Sequence, residues 1–196
     1  MKTTIVISAV LLLTACGAKE QTFTPRLPVS QTLTHKAYYY YGLNEIKDRN
    51  LLKNILGVDP VVTQWCAAFV NMILLENDLP TSESVSRYYL TARSFLTYGQ
   101  EVTEPRQGDI IVFPRGNQGW QGHVGFYVSS TTINGAEYYN IIGGNQNDSV
   151  TITPYLSSSA LTIRRTDEAV LGPAQDILGT IRSVVLQEEQ NSFLYE

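Results

Sequence analysis

Two kinds of hydrophobic periodicity divide the chain. In its first half, apolar residues recur at helical spacing, which predicts helices at Asn44–Leu56, Trp65–Leu75 and Ser84–Tyr98. In its second half, apolar and polar residues alternate in short runs that turn residues separate, which is typical of strands. Helices followed by strands predict an α+β fold in which helices pack on an antiparallel sheet. The strands are expected at Asp109–Phe113, His123–Ser129, Tyr138–Ile142, Ser149–Thr153 and Leu161–Arg165.

The N-terminal segment has the order of features of a secretory signal peptide. Lys2 precedes a short apolar run, Ile5–Leu13, which is too short to span a bilayer as a helix, and small residues follow. The stretch Leu13–Cys16 resembles the bacterial lipobox, which implies cleavage before Cys16 and lipidation of that residue. Gly17 comes next, which implies the outer membrane by analogy with enteric-type sorting. The alternative is an ordinary signal peptide that leaves Cys16 in a disordered tail.

These features divide the chain into four parts. Residues 1–15 are expected to be a lipoprotein signal peptide, and residues 16–36 a lipidated cysteine with a flexible tether. Residues 37–165 carry the predicted helices and strands, and residues 166–196 form a tail with a predicted helix at Ala174–Gln190. We then expect the chain to lie on the periplasmic side of the cell envelope, anchored to a membrane and not spanning it. A covering strand within the tether segment is the alternative to a flexible tether.

The composition excludes several classes of function. The chain has 196 residues with 14 Lys and Arg against 18 Asp and Glu, for a net charge of −4. No basic face stands out, so nucleic acid is not expected as a partner. There are two His and two Cys, whereas a structural zinc site needs four such ligands, so neither a metal nor another cofactor is expected. Once Cys16 is lipidated, Cys66 remains as a lone thiol in an oxidising compartment, which calls for a chemical explanation.

Cys66 is the first candidate for chemistry. It lies in the first turn of the predicted second helix. A helix N-terminus lowers the pKa of a thiol, and its backbone N–H groups can stabilise an oxyanion. The Cys66 N–H is one candidate donor to that oxyanion, and the side chain of Gln64, two residues earlier, is another. The alternative is that Cys66 is a small buried hydrophobic residue, which is common for a free cysteine.

His123 is the second candidate. It follows a Gly-rich loop and shares one face of its predicted strand with Gly125 and Tyr127, opposite Val124. Because Gly125 has no side chain, we expect the helix that carries Cys66 to pack closely there and to bring the sulfur to the imidazole. A cysteine paired with a histidine is what nucleophilic thiol catalysis requires. The alternative is a surface histidine at the start of a strand.

A third group is needed to hold the imidazole by its other ring nitrogen. Asn145 follows the next strand in the run Gly143–Asp148, and its amide oxygen can accept the ring N–H without adding charge. Asp148 is the second choice for this role. The alternative is that Asn145 only shapes a Gly-rich turn.

The candidate residues stand in segments that resemble the CHAP domains, the cysteine, histidine-dependent amidohydrolases/peptidases, and the related NlpC-type cell-wall peptidases. The resemblance implies a papain-like α+β fold over residues 37–165 and hydrolysis of amide bonds in peptidoglycan. The Cys segment and the His segment are specific together, whereas either alone is not. The matching segments are Gln64–Val70, Gly108–Phe113, Gly122–Val128 and Gly143–Gln146.

The same resemblance implies roles for individual residues. Cys66 and His123 are the expected catalytic pair, and Asn145 is the expected orienting residue. Many family members carry an acidic residue where this chain offers Asn145. Trp65 and Trp120 are candidates for lining the substrate site, although Trp120 equally fits an anchor of its own loop.

Other polar and aromatic residues are expected to have structural roles. The run Tyr38–Tyr41 is expected to pack beneath the first helix, with stacking on glycan as the alternative. Asp109 is expected to shape a turn. Arg164–Arg165 is interpreted as a solvated strand end, and Glu188–Glu189 as a solvated helix face.

Three functions follow from this interpretation. The preferred one is a peptidoglycan amidase or endopeptidase that uses the thiol to hydrolyse a stem-peptide amide bond. A Cys–His acyltransferase shares the first half-reaction and differs only in the acceptor. A non-catalytic, wall-binding lipoprotein with a degenerate site is the third. The C-terminal segment from Gly172 is in addition a candidate cover for the cleft, or a contact for a protein partner.

Overall fold

A computed structural model describes residues 29–166 of the chain. In this part, three α-helices precede a six-stranded sheet whose order is β1-β6-β2-β3-β4-β5, with all neighbouring strands antiparallel. This architecture confirms the predicted α+β fold. The helices are α1 Val29–Tyr38, α2 Arg49–Leu56 and α3 Cys66–Leu75, and short 3-10 turns lie at Ser82–Ser84, Ala92–Thr97 and Ser157–Ser159. The strands are β1 Gln100–Glu101, β2 Ile110–Pro114, β3 Gly122–Ile133, β4 Ala136–Gln146, β5 Ser149–Leu156 and β6 Thr162–Arg165.

Helices α2 and α3 follow the apolar pattern that predicts them. α2 buries Leu52 and Leu56 and ends at Gly57, whose φ of 70° is left-handed and closes the last turn. Every residue of α3 before Leu75 is buried, as expected for a helix that is apolar on all sides. Because α3 packs on the sheet, its first residue, Cys66, comes to lie against strand β3.

Alternate residues of the sheet build two hydrophobic clusters, one on each face. Val124 and Phe126 of β3 belong to the main core, between the sheet and the helices. Phe113 of β2 belongs to a smaller cluster on the opposite face, against which Tyr155 of β5 packs. Since neighbouring residues of a strand point to opposite faces, His123 lies on this second face, where its ring stacks on Tyr155.

The helix predicted at Ser84–Tyr98 does not form. This segment contains turns and one 3-10 stretch, and its polar side chains hydrogen-bond to backbone groups in place of a helical ladder. Ser94 Oγ donates to Thr91 O at 2.8 Å, and Asn71 of α3 donates to Tyr89 O at 2.9 Å. Such side-chain bonds compete with helix formation, which the apolar spacing alone does not reveal.

The folded part begins earlier than expected. Helix α1 starts at Val29 and buries Leu33 and Ala37, so residues 29–36, which the prediction assigned to the tether, are helical. The signal peptide, the lipidation site at Cys16 and the helix predicted at Ala174–Gln190 lie outside the described residues. Between residues 29 and 166, no helix is both long and apolar enough to cross a bilayer.

The end of β6 is not solvated. Arg165 makes a bidentate pair with Asp109, with Nε to Oδ1 at 2.9 Å and Nη2 to Oδ2 at 2.6 Å. Asp109 also accepts the Arg106 N–H at 2.7 Å, which agrees with its predicted role in a turn. Arg164 reaches Glu101 at 3.4 Å. The prediction of a solvated strand end is therefore wrong, because β6 lies inside the sheet between β1 and β2.

Strand β4 carries one extra residue near its end. Gly143 pairs with Thr151, and Gln146 pairs with Ser149. An advance of three residues along β4 therefore corresponds to an advance of two residues along β5. Asn145 accommodates the bulge with a left-handed φ of 57°. The bulge interrupts the alternation of side chains, so Gln146 turns toward the second face of the sheet.

Gly144→Ala is expected to lower the free energy of unfolding by about 2–3 kcal/mol, the cost typical of overpacking a core. A Cβ at this position would lie 2.5 Å from Trp65 Cε3 and 2.8 Å from Phe69 Cβ, and both rings are buried. Urea denaturation measures the loss. Gly119→Ala is the matched control, since nothing lies within 4 Å of its added Cβ. Equal stability of the two variants would contradict the close contact of β4 with α3.

Candidate active site

Cys66 opens α3 with unpaired backbone donors around its sulfur. The first N–H groups of a helix have no helical partner, and those of Cys66 and Ala67 contact the sulfur here. The N–H of Val124, from strand β3, contacts it as well. Burial raises the pKa of the thiol, and these N–H groups together with the charge of Arg115 oppose that effect only in part.

His123 reaches the same place from the sheet. The Val124 N–H that contacts the Cys66 sulfur belongs to the residue directly after His123. The imidazole is 1% exposed and stacks on Tyr155 with ring centroids 5.1 Å apart. Its Nε2 lies 3.4 Å from the point where a Cβ of Gly143 would stand, so the ring rests on bare backbone. The structure therefore brings the two predicted residues into one cluster.

The helix does not approach in the predicted way. α3 packs on the face of β3 opposite the imidazole, and a Cβ on Gly125 would meet Ile141 Cγ2 at 2.6 Å and Ile142 O at 2.7 Å. The missing side chain of Gly125 therefore makes room for strand β4. The prediction that it makes room for the helix is wrong. Gly144 has that role, because the Trp65 ring occupies the space of its missing side chain.

Gln146 holds the imidazole. Its Oε1 lies 3.1 Å from His123 Nε2. Its Nε2 donates to Thr151 O at 2.5 Å and Ile141 O at 3.2 Å, which fixes the amide with its oxygen toward the ring. An amide oxygen can only accept, so His123 Nε2 carries the proton and Nδ1 carries the lone pair. The buried Nδ1 has no hydrogen-bond partner among the described residues.

Asn145 bonds to a different residue from the one expected. Its Nδ2 donates to Gln64 Oε1 at 2.9 Å, so it holds the exposed Gln64 and not the imidazole. The left-handed bulge causes the difference, because it shifts the alternation of side chains along β4 by one residue, so that Gln146 and not Asn145 faces the imidazole. Asp148, the second choice, lies exposed in the turn between β4 and β5. With its oxygen engaged by Asn145, Gln64 has its amide nitrogen available as a donor.

The environment of the site favours the neutral forms of both Cys66 and His123 at neutral pH. Burial, and then the charge of Arg115, lower the pKa of His123 to about 4, against a smaller opposing effect of Gln146. Burial also raises the pKa of the Cys66 thiol. The resting pair is therefore a thiol and a neutral imidazole, in contrast to a thiolate–imidazolium pair.

The two candidate tryptophans have different environments. Trp65 is fully buried, and its Nε1 donates to Glu45 Oε2 at 2.9 Å. The prediction that Trp65 lines the substrate site is therefore wrong, since it anchors the start of α3 against β4. Trp120 is 67% exposed in the loop between β2 and β3 and stays a candidate.

The four tyrosines of the run Tyr38–Tyr41 also differ in how far they are buried. Tyr40 packs edge-on against Phe69 and donates its hydroxyl to Glu76, so the expected packing role holds for this residue. Tyr39 is 82% exposed, and Tyr38 and Tyr41 are also exposed. Their side chains lie at the surface and do not pack beneath the helices.

The fold and the site place this part of the chain among α+β domains in which a helix-opening cysteine meets a histidine on a strand. The family model of the CHAP domain matches residues 58–145, which confirms the resemblance found in the sequence. CHAP domains are generally hydrolases, with peptidoglycan as their substrate. No curated protein and no solved structure matches the chain significantly. Within residues 29–166, no three His, Cys, Asp or Glu side chains come together as metal ligands.

Sequence reasoning missed Gln146, Tyr155 and Arg115. Gln146 follows Asn145 directly, and only the bulge decides which of the two amides reaches the ring. Tyr155 lies in β5, two residues beyond Thr153, where the predicted strand stops. Arg115 directly follows the end of β2 at Pro114, and this position beside the candidate His loop is the one signal that could have identified it.

Stability is expected to fall as the pH decreases from about 6.5 toward 4. The unfolded chain binds a proton at His123 near pH 6.5, whereas the folded chain excludes it until its pKa of about 4. The contribution of this residue is at most about 1.4 kcal/mol per pH unit. Urea midpoints of the wild type and His123→Gln, measured at pH 7 and pH 5, isolate it. An equal pH dependence in both proteins would show that the imidazole is not held neutral.

Proposed function

We propose that this protein is a thiol hydrolase that cleaves an amide bond in the peptide part of peptidoglycan. The observation that carries the proposal is the arrangement around His123. Gln146 holds Nε2, Nδ1 stays free as a base, and the next residue of the strand contacts the sulfur of Cys66. A base with one free nitrogen beside a helix-opening thiol is the requirement for covalent acyl transfer.

The reaction begins with a proton transfer inside a neutral pair. His123 Nδ1 takes the proton of the Cys66 thiol as the sulfur attacks the amide carbonyl carbon. The oxygen that becomes negative is stabilised by the Cys66 N–H and by the amide nitrogen of Gln64. The imidazolium then gives its proton to the leaving amine, which departs and leaves a thioester. Water, deprotonated by His123, hydrolyses the thioester and restores the thiol.

A neutral amide in the third position shapes this chemistry. Gln146 accepts a hydrogen bond from the Nε2–H of the imidazole but carries no negative charge. The imidazolium is therefore stabilised less than it would be beside a carboxylate. Arg115 disfavours the imidazolium further. The pair therefore stays uncharged until a substrate carbonyl is present, and proton transfer accompanies the attack.

The N-terminal segment supports a location next to the substrate. A lipid on Cys16 and a short tether would hold the domain on the periplasmic side of the envelope, with the outer membrane as the anchor site. Anchoring raises the local concentration of enzyme at the polymer without any new contact. The composition supports neither nucleic acid nor a metal cofactor as a requirement.

Digestion of purified peptidoglycan tests the proposal. The full chain with Cys16→Ser, which avoids lipidation, is compared with the same chain carrying Cys66→Ala. We expect new soluble fragments from the first protein and none from the second, because only the thiol can form the thioester. Mass spectrometry of the fragments identifies the bond, which distinguishes a sugar–peptide amidase from a stem or cross-link endopeptidase.

Other outcomes of this digestion decide between the alternatives. Fragments from both proteins would contradict a role for Cys66. Fragments that form only with an added amine, and that carry it, would identify a transferase. A lack of fragments from either protein, together with retained binding to the polymer, would identify a wall-binding protein.

Gln64 and Asn145 are expected to act as one unit. Gln64→Ala should lower kcat by about a hundredfold, the usual effect of removing one oxyanion donor. Asn145→Gly removes the amide that positions Gln64 while keeping the left-handed backbone available, and should lower kcat by about tenfold. The double variant should be no slower than Gln64→Ala, because Asn145 acts only through Gln64. Effects that multiply would show an independent role for Asn145.

A further inference from the structure

Arg115 occupies the rim of the candidate site. It is exposed and begins the loop between β2 and β3, directly after Pro114. Its Nη2 lies 3.4 Å from Asn145 O, so the guanidinium spans from this loop to the bulge of β4. The bulge carries the residue that holds Gln64, and the loop leads to His123. The cation therefore lies between the elements that supply the oxyanion donor and the base.

The field of Arg115 reaches the reacting groups themselves. Burial is the largest influence on the pKa values of Cys66, His123 and Tyr155, and the positive charge of Arg115 acts on all three. It opposes the raised pKa of the Cys66 thiol and of the Tyr155 hydroxyl, and it adds to the lowered pKa of the His123 imidazole. The proposed reaction requires the scissile carbonyl to lie at the Cys66 sulfur, close to the His123 imidazole. A negative group of a substrate bound there would lie within reach of the guanidinium.

Arg115 has no acidic partner among residues 29–166. Arg49, Arg164 and Arg165 each pair with a carboxylate. Arg115, like Arg93, instead donates to a backbone carbonyl, and for Arg115 the distance is long, at 3.4 Å. Its charge also works against the imidazolium that the reaction forms at His123. An unpaired cation in this position is explained if an incoming anion neutralises it.

We propose that Arg115 binds a carboxylate of the substrate beside the scissile amide. A guanidinium is suited to this role, because its planar fork matches a carboxylate with two parallel hydrogen bonds. The free carboxylates of peptidoglycan stem peptides have the required chemistry, and this identification of the ligand rests on the proposed function. Binding the carboxylate would also remove the charge that disfavours the imidazolium, so substrate binding makes His123 a better base.

Alkylation of Cys66 tests the anion site without any peptidoglycan. The thiolate displaces iodide from iodoacetate, which carries a carboxylate, or from iodoacetamide, which is neutral. The ratio of the two rates cancels the thiolate fraction, since both reagents react with the same sulfur. In the full chain with Cys16→Ser, Cys66 is the one cysteine left. We expect Arg115→Gln to lower the iodoacetate to iodoacetamide ratio about fivefold, the upper range for an exposed charge pair.

Two further variants control this experiment. Arg115→Lys keeps the charge without the fork and should retain an intermediate ratio. Arg87→Gln removes an exposed arginine that stacks on its neighbour Tyr88, and should keep the wild-type ratio. A ratio in Arg115→Gln equal to that of the wild type would overturn the anion site. An equal drop in Arg87→Gln would also overturn it, because the effect would then come from net charge.

Peptide substrates identify the ligand of the site. Stem peptides with free carboxylates are compared with the same peptides amidated at one carboxylate at a time. We expect Arg115→Gln to lower kcat/KM about fivefold for the free form and to leave one amidated form unchanged. An equal loss on all peptides would overturn the proposal while the hydrolase function stands. If alkylation is charge-selective but neither these peptides nor purified peptidoglycan is cleaved, the hydrolase function is refuted, and so is the carboxylate of a stem peptide as the ligand.

Discussion

The structure of the site depends on two glycines of strand β4, Gly143 and Gly144, at the points where two aromatic rings approach the strand. Gly143 leaves room for the imidazole of His123 on one face of β4, and Gly144 leaves room for the indole of Trp65 on the other. The indole fixes the start of α3, and the imidazole belongs to β3. The glycine pair therefore influences how closely helix α3, which carries the thiol, and strand β3, which carries the imidazole, approach each other. A Cβ at Gly144 would collide with the indole, at 2.5 Å from Trp65 Cε3, whereas a Cβ at Gly143 would be in tight contact with the imidazole, at 3.4 Å from His123 Nε2.

The bulge directly after the glycine pair distributes the polar groups of the site. In a regular strand, Gln146 would share a face with Gly144 and would point away from the imidazole. The extra residue, accommodated by the left-handed Asn145, turns Gln146 toward the ring and leaves Asn145 for Gln64. A left-handed backbone position thus lets four consecutive residues contact both the imidazole of His123 and the amide of Gln64. The carbonyls of β4 and β5 complete the arrangement, because they decide which end of the Gln146 amide meets the imidazole.

The sequence is sufficient to predict the parts of this account that depend on local pattern. The apolar run of α3, the alternation of β3 and the positions of Cys66 and His123 follow from spacing alone, and they carry the resemblance to the CHAP domains that the family match confirms. The third residue could not be predicted, because the choice between neighbouring amides depends on one bulge.

The roles of the other residues depend on contacts made by distant parts of the chain. Trp65 is buried because Gly144 lies against it, and Arg165 is paired because β6 enters the middle of the sheet beside Asp109. Neither contact leaves a periodic signal. The helix expected at Ser84–Tyr98 fails for a similar reason, because its polar side chains find backbone partners that spacing does not reveal.

The central claim is that His123 is neutral, with its proton on Nε2 and with an unprotonated Nδ1 that has no hydrogen-bond partner among the described residues. Two-bond proton–nitrogen correlation spectra of the ¹⁵N-labelled protein at pH 7 test this directly, with His35→Gln assigning the two histidines of the chain. The account predicts a protonated, pyrrole-type Nε2 and an unprotonated, pyridine-type Nδ1 for His123. A proton on both nitrogens, or on Nδ1 alone, would contradict it, because no free base would then remain for the thiol.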